Sequence, residues 1–179
     1  MNWKKIFIFS ISLTFIGIYF VWTTQYISPK KYTSPRQDLG EAAVNVVRVI
    51  DGDTIEVKIG NKYESVRFLG INAPETVDPR KPVECFGIEA SEKLKELLSN
   101  KEVLLKSDST QTNRDKYGRL LRYVYTSDGT LINQIMIEQG FAYEYTYEIP
   151  YKFQKEFKSA EVSARSQKRG LWADGVCQQ

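Results

Sequence analysis

Histidine is absent from this 179-residue chain. That removes the commonest general base and the commonest zinc ligand. Ser-His-Asp and Cys-His mechanisms are excluded with it. A hydrolase built on this sequence must use a carboxylate or a metal-bound hydroxide as its base. Cysteine is scarce, with only Cys85 and Cys177. Two isolated cysteines without histidine partners make no zinc site. In an exported protein they pair and tie the C-terminus to the body; in a reducing compartment they are two unrelated thiols. Internal repeats and low-complexity tracts are also missing, and a hydrophobic content of 42% with 26% charged residues suits one ordinary globular domain.

Acidic residues are missing from the first 36 positions, which hold Lys4, Lys5, Lys30, Lys31 and Arg36. The rest of the chain holds 20 basic against 22 acidic side chains, so the overall +3 comes from the N-terminal segment. A globally basic body is therefore not what would attract a nucleic acid. Any phosphate affinity must come from locally placed arginine and lysine or from bound metal. Between Lys5 and Lys30 there is no charge, and residues 6–22 are almost wholly apolar, long enough to span a bilayer. Tyr19, Trp22 and Tyr26 suit the interfacial belt at its far end. Residues 1–27 read as an uncleaved signal anchor, since no A-x-A-like site follows; a cleaved signal peptide is the alternative. Lysines on both flanks leave the orientation open, although the short N-terminal flank favours a domain outside the cytoplasm, anchored or secreted. Residues 28–43 read as a tether.

From residue 44 the pattern changes. Residues 44–50 are a β-branched run ending in Asp51-Gly52, a hairpin signal. Residues 54–59 read as the return strand and 63–69 as a third. Pro74, Pro79 and Pro82 mark a long loop. Residues 87–98 are an amphipathic helix. Residues 103–106 and 120–126 are short strands, 131–139 a short helix stopped by Gly140, and 151–168 a longer charged helix ended by Gly170. Five strands with helices between and after them predict an α+β fold, a small Greek-key barrel spanning 44–179.

The motif-bearing stretches are Val49-Ile-Asp-Gly-Asp-Thr-Ile-Glu-Val57, Val66-Arg-Phe-Leu-Gly-Ile-Asn-Ala-Pro-Glu75 and Asp115-Lys-Tyr-Gly-Arg119. Together they offer two arginines, a metal-capable carboxylate and a spare carboxylate. Those are the parts needed to hydrolyse a phosphodiester with a divalent metal. Their order and spacing resemble the thermonuclease family of staphylococcal-nuclease-like domains. The resemblance runs from about Val44 to Trp172 and implies a five-stranded OB-fold barrel with three helices.

It also implies roles. Asp53 matches the calcium-ligating aspartate, Arg67 and Arg119 the two phosphate-binding catalytic arginines, and Glu75 the glutamate that acts as general base. Lys116 and Tyr117 match positions that contact the nucleotide. Tyr145, with Tyr143 and Tyr147 alternating beside it, offers a stacking surface for bases. One departure stands out. Well-known members carry an aspartate and a threonine before the Pro-Glu pair, where this chain has Asn72 and Ala73. Asparagine still offers a carbonyl oxygen, and Ala73 retains its backbone carbonyl, but one ligand charge is lost. Weaker calcium binding follows. Asp51 reads as a turn residue capping backbone amides, Asp115 as a support, and Asn133 as a structural hydrogen-bonding residue.

The sequence thus points to a monomeric, Ca2+-dependent endonuclease acting on DNA and RNA with little sequence preference. The alternative is a non-catalytic OB module that binds nucleic acid or protein. The presence of Asp53, Arg67, Glu75 and Arg119 together favours the enzyme.

Overall fold

A computed structural model describes residues 43–80 and 82–177. The signal or anchor segment 1–27 and all but the last residue of the 28–43 tether lie outside the described residues. Among the described residues no helix is long and apolar enough to cross a membrane.

The β-branched, alternating segments form a closed barrel. Its strands are β1 (Val44–Asp51), β2 (Thr54–Ile59), β3 (Lys62–Phe68), β5 (Glu102–Lys106) and β6 (Leu120–Thr126), in the order β1-β2-β3-β6-β5. The first three make an antiparallel meander. β3 then pairs with β6 in parallel, Val66 opposite Leu120 and Arg67 opposite Leu121, and β5 closes back onto β1. Alternate residues Ile55, Val57, Val66, Phe68, Val103, Leu105 and Val124 fill the interior. The expected OB-type barrel is present, with three helices: α1 (Gly87–Leu98), α2 (Ile132–Glu138) and α3 (Gln154–Ser166).

α1 buries Ala90, Leu94 and Leu98, one face at a four-residue spacing. α2 packs on β6 and α3 packs on α2, and Tyr123 of β6 meets Phe153 and Phe157 edge-on at 4.8 and 6.4 Å. Asn133 in α2 is fully buried and acts as a structural link. Its Oδ1 accepts from the Val124 amide at 2.9 Å and its Nδ2 donates to the Leu69 carbonyl at 2.9 Å. It therefore satisfies main-chain groups that the strands leave unpaired.

Two features position the candidate site. β4 (Ile71–Asn72) pairs with β7 (Tyr143–Glu144), which fixes Asn72 opposite Tyr143. The Gly52 turn is the other. The Asp51-Gly52 hairpin forms as expected, with Asp51 opposite Thr54 across the turn. Gly52 is not among the positive-φ residues. It is there because a Cβ would sit 2.7 Å from the Ala73 Cβ and 2.9 Å from the Ala90 Cβ. The turn is pressed between α1 and the residues after β4.

Candidate active site

Asp53, at the end of that turn, is buried. Its Oδ2 accepts from the Ala73 amide at 2.8 Å and pairs with Arg67 Nη2 at 3.0 Å, and its Oδ1 accepts from the Thr54 hydroxyl at 2.9 Å. Arg67, on β3, is held just as firmly. Nη1 donates to the Phe68 and Ile71 carbonyls at 2.8 and 2.7 Å, and Nη2 also donates to Asn72 Oδ1 at 2.9 Å. The two terminal nitrogens thus meet four acceptors, and among the described residues Nε–H is the donor left over. Asp53, Arg67, Asn72 and Ala73 are brought together as a single charge-compensated cluster.

Glu75 follows directly. Its Oε1 accepts from the amides of Val77 and Asp78 at 2.7 and 3.1 Å. Burial pushes its carboxyl up, but those amides and the Asp51 carboxyl outweigh that and hold it below the usual glutamate range. Glu75 is therefore ionised at neutral pH. Asp51 shows the opposite balance. It caps the Gly52 amide at 2.8 Å as expected of a turn residue, and also accepts from the Thr76 hydroxyl at 2.7 Å. Burial pushes its carboxyl up to about 6, and the charges of Asp53 and Glu75 add to that against the two hydrogen bonds. Asp51 thus feels both Asp53 and Glu75, while Arg67 pairs with Asp53 alone.

A stability consequence follows. The folded value for Asp51 lies above its ordinary one, so the unfolded chain loses this proton first. Stability falls as pH rises from about 4 to about 6 and stays lower above. Asp51→Asn keeps an acceptor oxygen and removes the charge. Urea titrations in chelator are expected to show the variant without this slope and more stable than the parent at pH 7. An unchanged slope would remove Asp51 as its source.

Arg119 immediately precedes β6, so the two arginines come from adjacent strands. A tight turn presents it. Asp115 Oδ1 accepts from the Tyr117 and Arg119 amides, both at 2.9 Å, and Asp115 Oδ2 takes Arg119 Nε at 2.6 Å. Among the described residues neither terminal nitrogen of Arg119 has a protein acceptor, so the fork is free for a bidentate anion. Tyr117 is 69% exposed, with Lys116 Nζ 5.1 Å and Arg119 Cζ 5.3 Å from its ring centroid. Tyr145 follows β7, half exposed, its amide on the Gly70 carbonyl at 3.0 Å and its ring 6.4 Å from that of Tyr147. Tyr143 packs edge-on against Trp172 at 5.2 Å and is committed to the fold.

Among the described residues no three Asp, Glu, His or Cys side chains stand together as a ready cation cage. The carboxylate of Asp53, the amide oxygen of Asn72 and the Ala73 carbonyl are nonetheless all hard oxygen donors, although Asp53 and Asn72 already accept from Arg67. That set suits a hard cation held partly through neutral oxygens and water, with modest affinity.

The comparisons with known proteins bear on the family. Residues 65–174 match the family model described as staphylococcal nuclease homologue, which takes in the end of β3, all three helices and the arginine turn. The chain belongs to the staphylococcal nuclease family. The Thermonuclease of Staphylococcus hyicus is 37% identical over 134 residues, covering 75% of this chain and 78% of that protein. Endonuclease YncB of Bacillus subtilis (strain 168) is 37% identical over 147 residues, covering 80% of this chain and 69% of that protein. The SPbeta prophage-derived endonuclease YokF of the same strain is 39% identical over 131 residues, 73% of this chain but only 44% of its own length. Within the staphylococcal nuclease family barrel, sequence reasoning missed the link from Thr76 to Asp51, 25 positions apart, and the hydrogen bond from the Glu75 amide to Glu84, nine positions on. Neither contact carries a periodic signal in the sequence.

Proposed function

We propose that this chain is a calcium-dependent nuclease that hydrolyses phosphodiester bonds of DNA and RNA with little sequence preference. The observation that carries this is the contrast between the two arginines, with Glu75 held ionised three residues after β4. Arg67 is locked by four acceptors, whereas Arg119 is held only by Nε and offers its fork outward. A phosphodiester anion repels an attacking hydroxide, and two fixed guanidinium groups offset that charge.

The roles divide as follows. The Arg119 fork binds two non-bridging phosphate oxygens. Arg67 contributes through Nε–H and through its charge. Glu75 accepts a proton from the attacking water, whose oxygen bonds to phosphorus as the opposite P–O ester bond breaks. Asp53, Asn72 and the Ala73 backbone carbonyl would hold Ca2+, which supplies further positive charge at the phosphate. Lys116 and Tyr117 flank the nucleotide, and Tyr145 stacks on a base. Nothing in this set reads base edges, which supports low specificity. We further infer a monomer whose N-terminal apolar segment anchors or exports it, with the domain outside the cytoplasm, where a disulfide persists.

The test is hydrolysis of single-stranded DNA and RNA by the full-length protein with calcium and with chelator. Cleavage should require calcium. Asn72→Asp should lower the calcium concentration for half-maximal rate by on the order of tenfold, since it restores a ligand charge. DNA binding without cleavage at millimolar calcium would make the chain a binding module instead.

A further inference from the structure

The segment just before α1 grips Glu75 by its main chain. The Glu75 amide donates to the Glu84 carboxylate (Oε2) at 3.0 Å, and the Glu84 amide donates to the Glu75 carbonyl at 2.9 Å. With the Val77 and Asp78 amides on its own carboxylate, Glu75 is fixed at its amide, its carbonyl and its Oε1. The Glu84 carbonyl in turn accepts from the Gly87 amide at 3.0 Å, at the start of α1. Gly87 lies so close beneath this loop that a Cβ would stand 2.7 Å from Thr76 Cγ2, 3.1 Å from the Pro74 carbonyl oxygen and 3.2 Å from that of Glu75.

What keeps Glu84 there is less obvious, because Pro82, Val83, Glu84 and Cys85 are all exposed. Cys85 is bonded to Cys177 across 92 residues of sequence. The C-terminal turn that carries Cys177 is well anchored. Leu171 is buried, with its amide on the Gly140 carbonyl at 2.9 Å, and Trp172 packs on Tyr143. On the other side Phe86 adopts a left-handed φ of 66° and stacks on Phe141 at 5.4 Å. A bulky residue holds that backbone only where its surroundings demand it.

We propose that Glu84 is a positioning residue for Glu75, and that the Cys85–Cys177 disulfide holds Glu84 in register for that task. The inference rests on the reading of Glu75 as the proton acceptor. It makes turnover depend on the oxidation state of the pair. A small dithiol reduces the bond with two electrons and two protons, giving two thiols and closing its own disulfide. The tether on Glu84 is then lost without any change at Asp53, Arg67 or Arg119.

The experiment compares Glu84→Ala, Glu84→Gln, Glu75→Ala and the pair Glu75→Ala/Glu84→Ala in the full-length protein. It measures kcat and KM on single-stranded DNA at saturating calcium, and amide hydrogen exchange at Glu75. Glu84→Ala is expected to lower kcat about 5- to 10-fold with KM within twofold, and to speed exchange at Glu75. Glu84→Gln should restore both, since its amide oxygen accepts the same N–H. Removing Glu84 should have no further effect once Glu75 is gone. Dithiol-treated parent protein, still folded by circular dichroism, should behave as Glu84→Ala does. Wild-type kcat and exchange in Glu84→Ala would overturn the proposal, as would a Glu84→Gln no better than Glu84→Ala. Wild-type turnover by Glu75→Ala would overturn the proton-acceptor reading itself.

Discussion

Glu75→Gln is expected to lower kcat by about 10²- to 10⁴-fold while KM stays within a few-fold. The substitution is nearly isosteric. Its amide oxygen still accepts from the Val77 and Asp78 amides, which now meet Glu75 Oε1 at 2.7 and 3.1 Å, so the loop keeps its shape. What disappears is the capacity to take a proton, a loss confined to the transition state. The two arginines give contrasting controls. Arg119→Ala should cost about 10²- to 10³-fold in kcat with little change in stability, because Asp115 retains the Tyr117 amide as a partner. Arg119→Lys should restore little, since a point charge does not reproduce the planar fork. Arg67→Ala should damage folding as well as rate. It leaves Asp53 and Asn72 without their guanidinium donor, and losing one partner of a buried ion pair costs about 3–5 kcal/mol. Steady-state kinetics beside urea titrations separate these cases. A Glu75→Gln enzyme with parental kcat would end the assignment of the proton acceptor.

These expectations come from a site that was partly legible in the sequence. Asp53, Arg67, Asn72 and Glu75 lie within 23 positions of one another and converge because β2, β3 and the short β4 are consecutive. Local order was enough to group them. The barrel strands were readable for a related reason, since alternation is a period-two signal carried by each segment alone. Longer-range pairings were not readable. β4 and β7 have two residues each, too few for any periodicity, and Asn72 meets a partner at Tyr143. The α3 boundary also moved. The pattern suggested a start at Tyr151, but the helix begins at Gln154. Tyr151 is buried instead, its hydroxyl on the Gly70 carbonyl at 3.2 Å and Glu144 Oε1 at 3.0 Å, and the Lys152 amide is taken by Asp108 at 2.8 Å. Tertiary partners there outweigh helix propensity. Asp51 was read from its neighbours alone, so its bond to Thr76 and its crowding by Glu75 went unseen.

Replacing both cysteines by serine is expected to lower the unfolding free energy by about 4–5 kcal/mol, the chain-entropy value for a loop of this length. The bond spans 92 residues, from the loop before α1 to the end of the chain. Its removal therefore frees, in the unfolded state, the stretch that holds β5, β6 and all three helices, while β1, β2 and β3 lie outside the closed loop. For a domain of this size the melting temperature should drop by roughly 10–20 °C. Two mechanisms are separable. If the cross-link acts by compacting the unfolded chain, the double-serine protein exposes more surface on unfolding, and its urea m-value exceeds the parent's. If it acts by holding native contacts, m is unchanged and the loss appears as faster unfolding. Equal urea midpoints for the parent, the reduced parent and the double-serine variant would show that the bond contributes nothing to stability. A loss near 4 kcal/mol is a large share of the 5–15 kcal/mol typical of a domain. The barrel would then be most secure in an oxidising compartment, where this disulfide forms and persists.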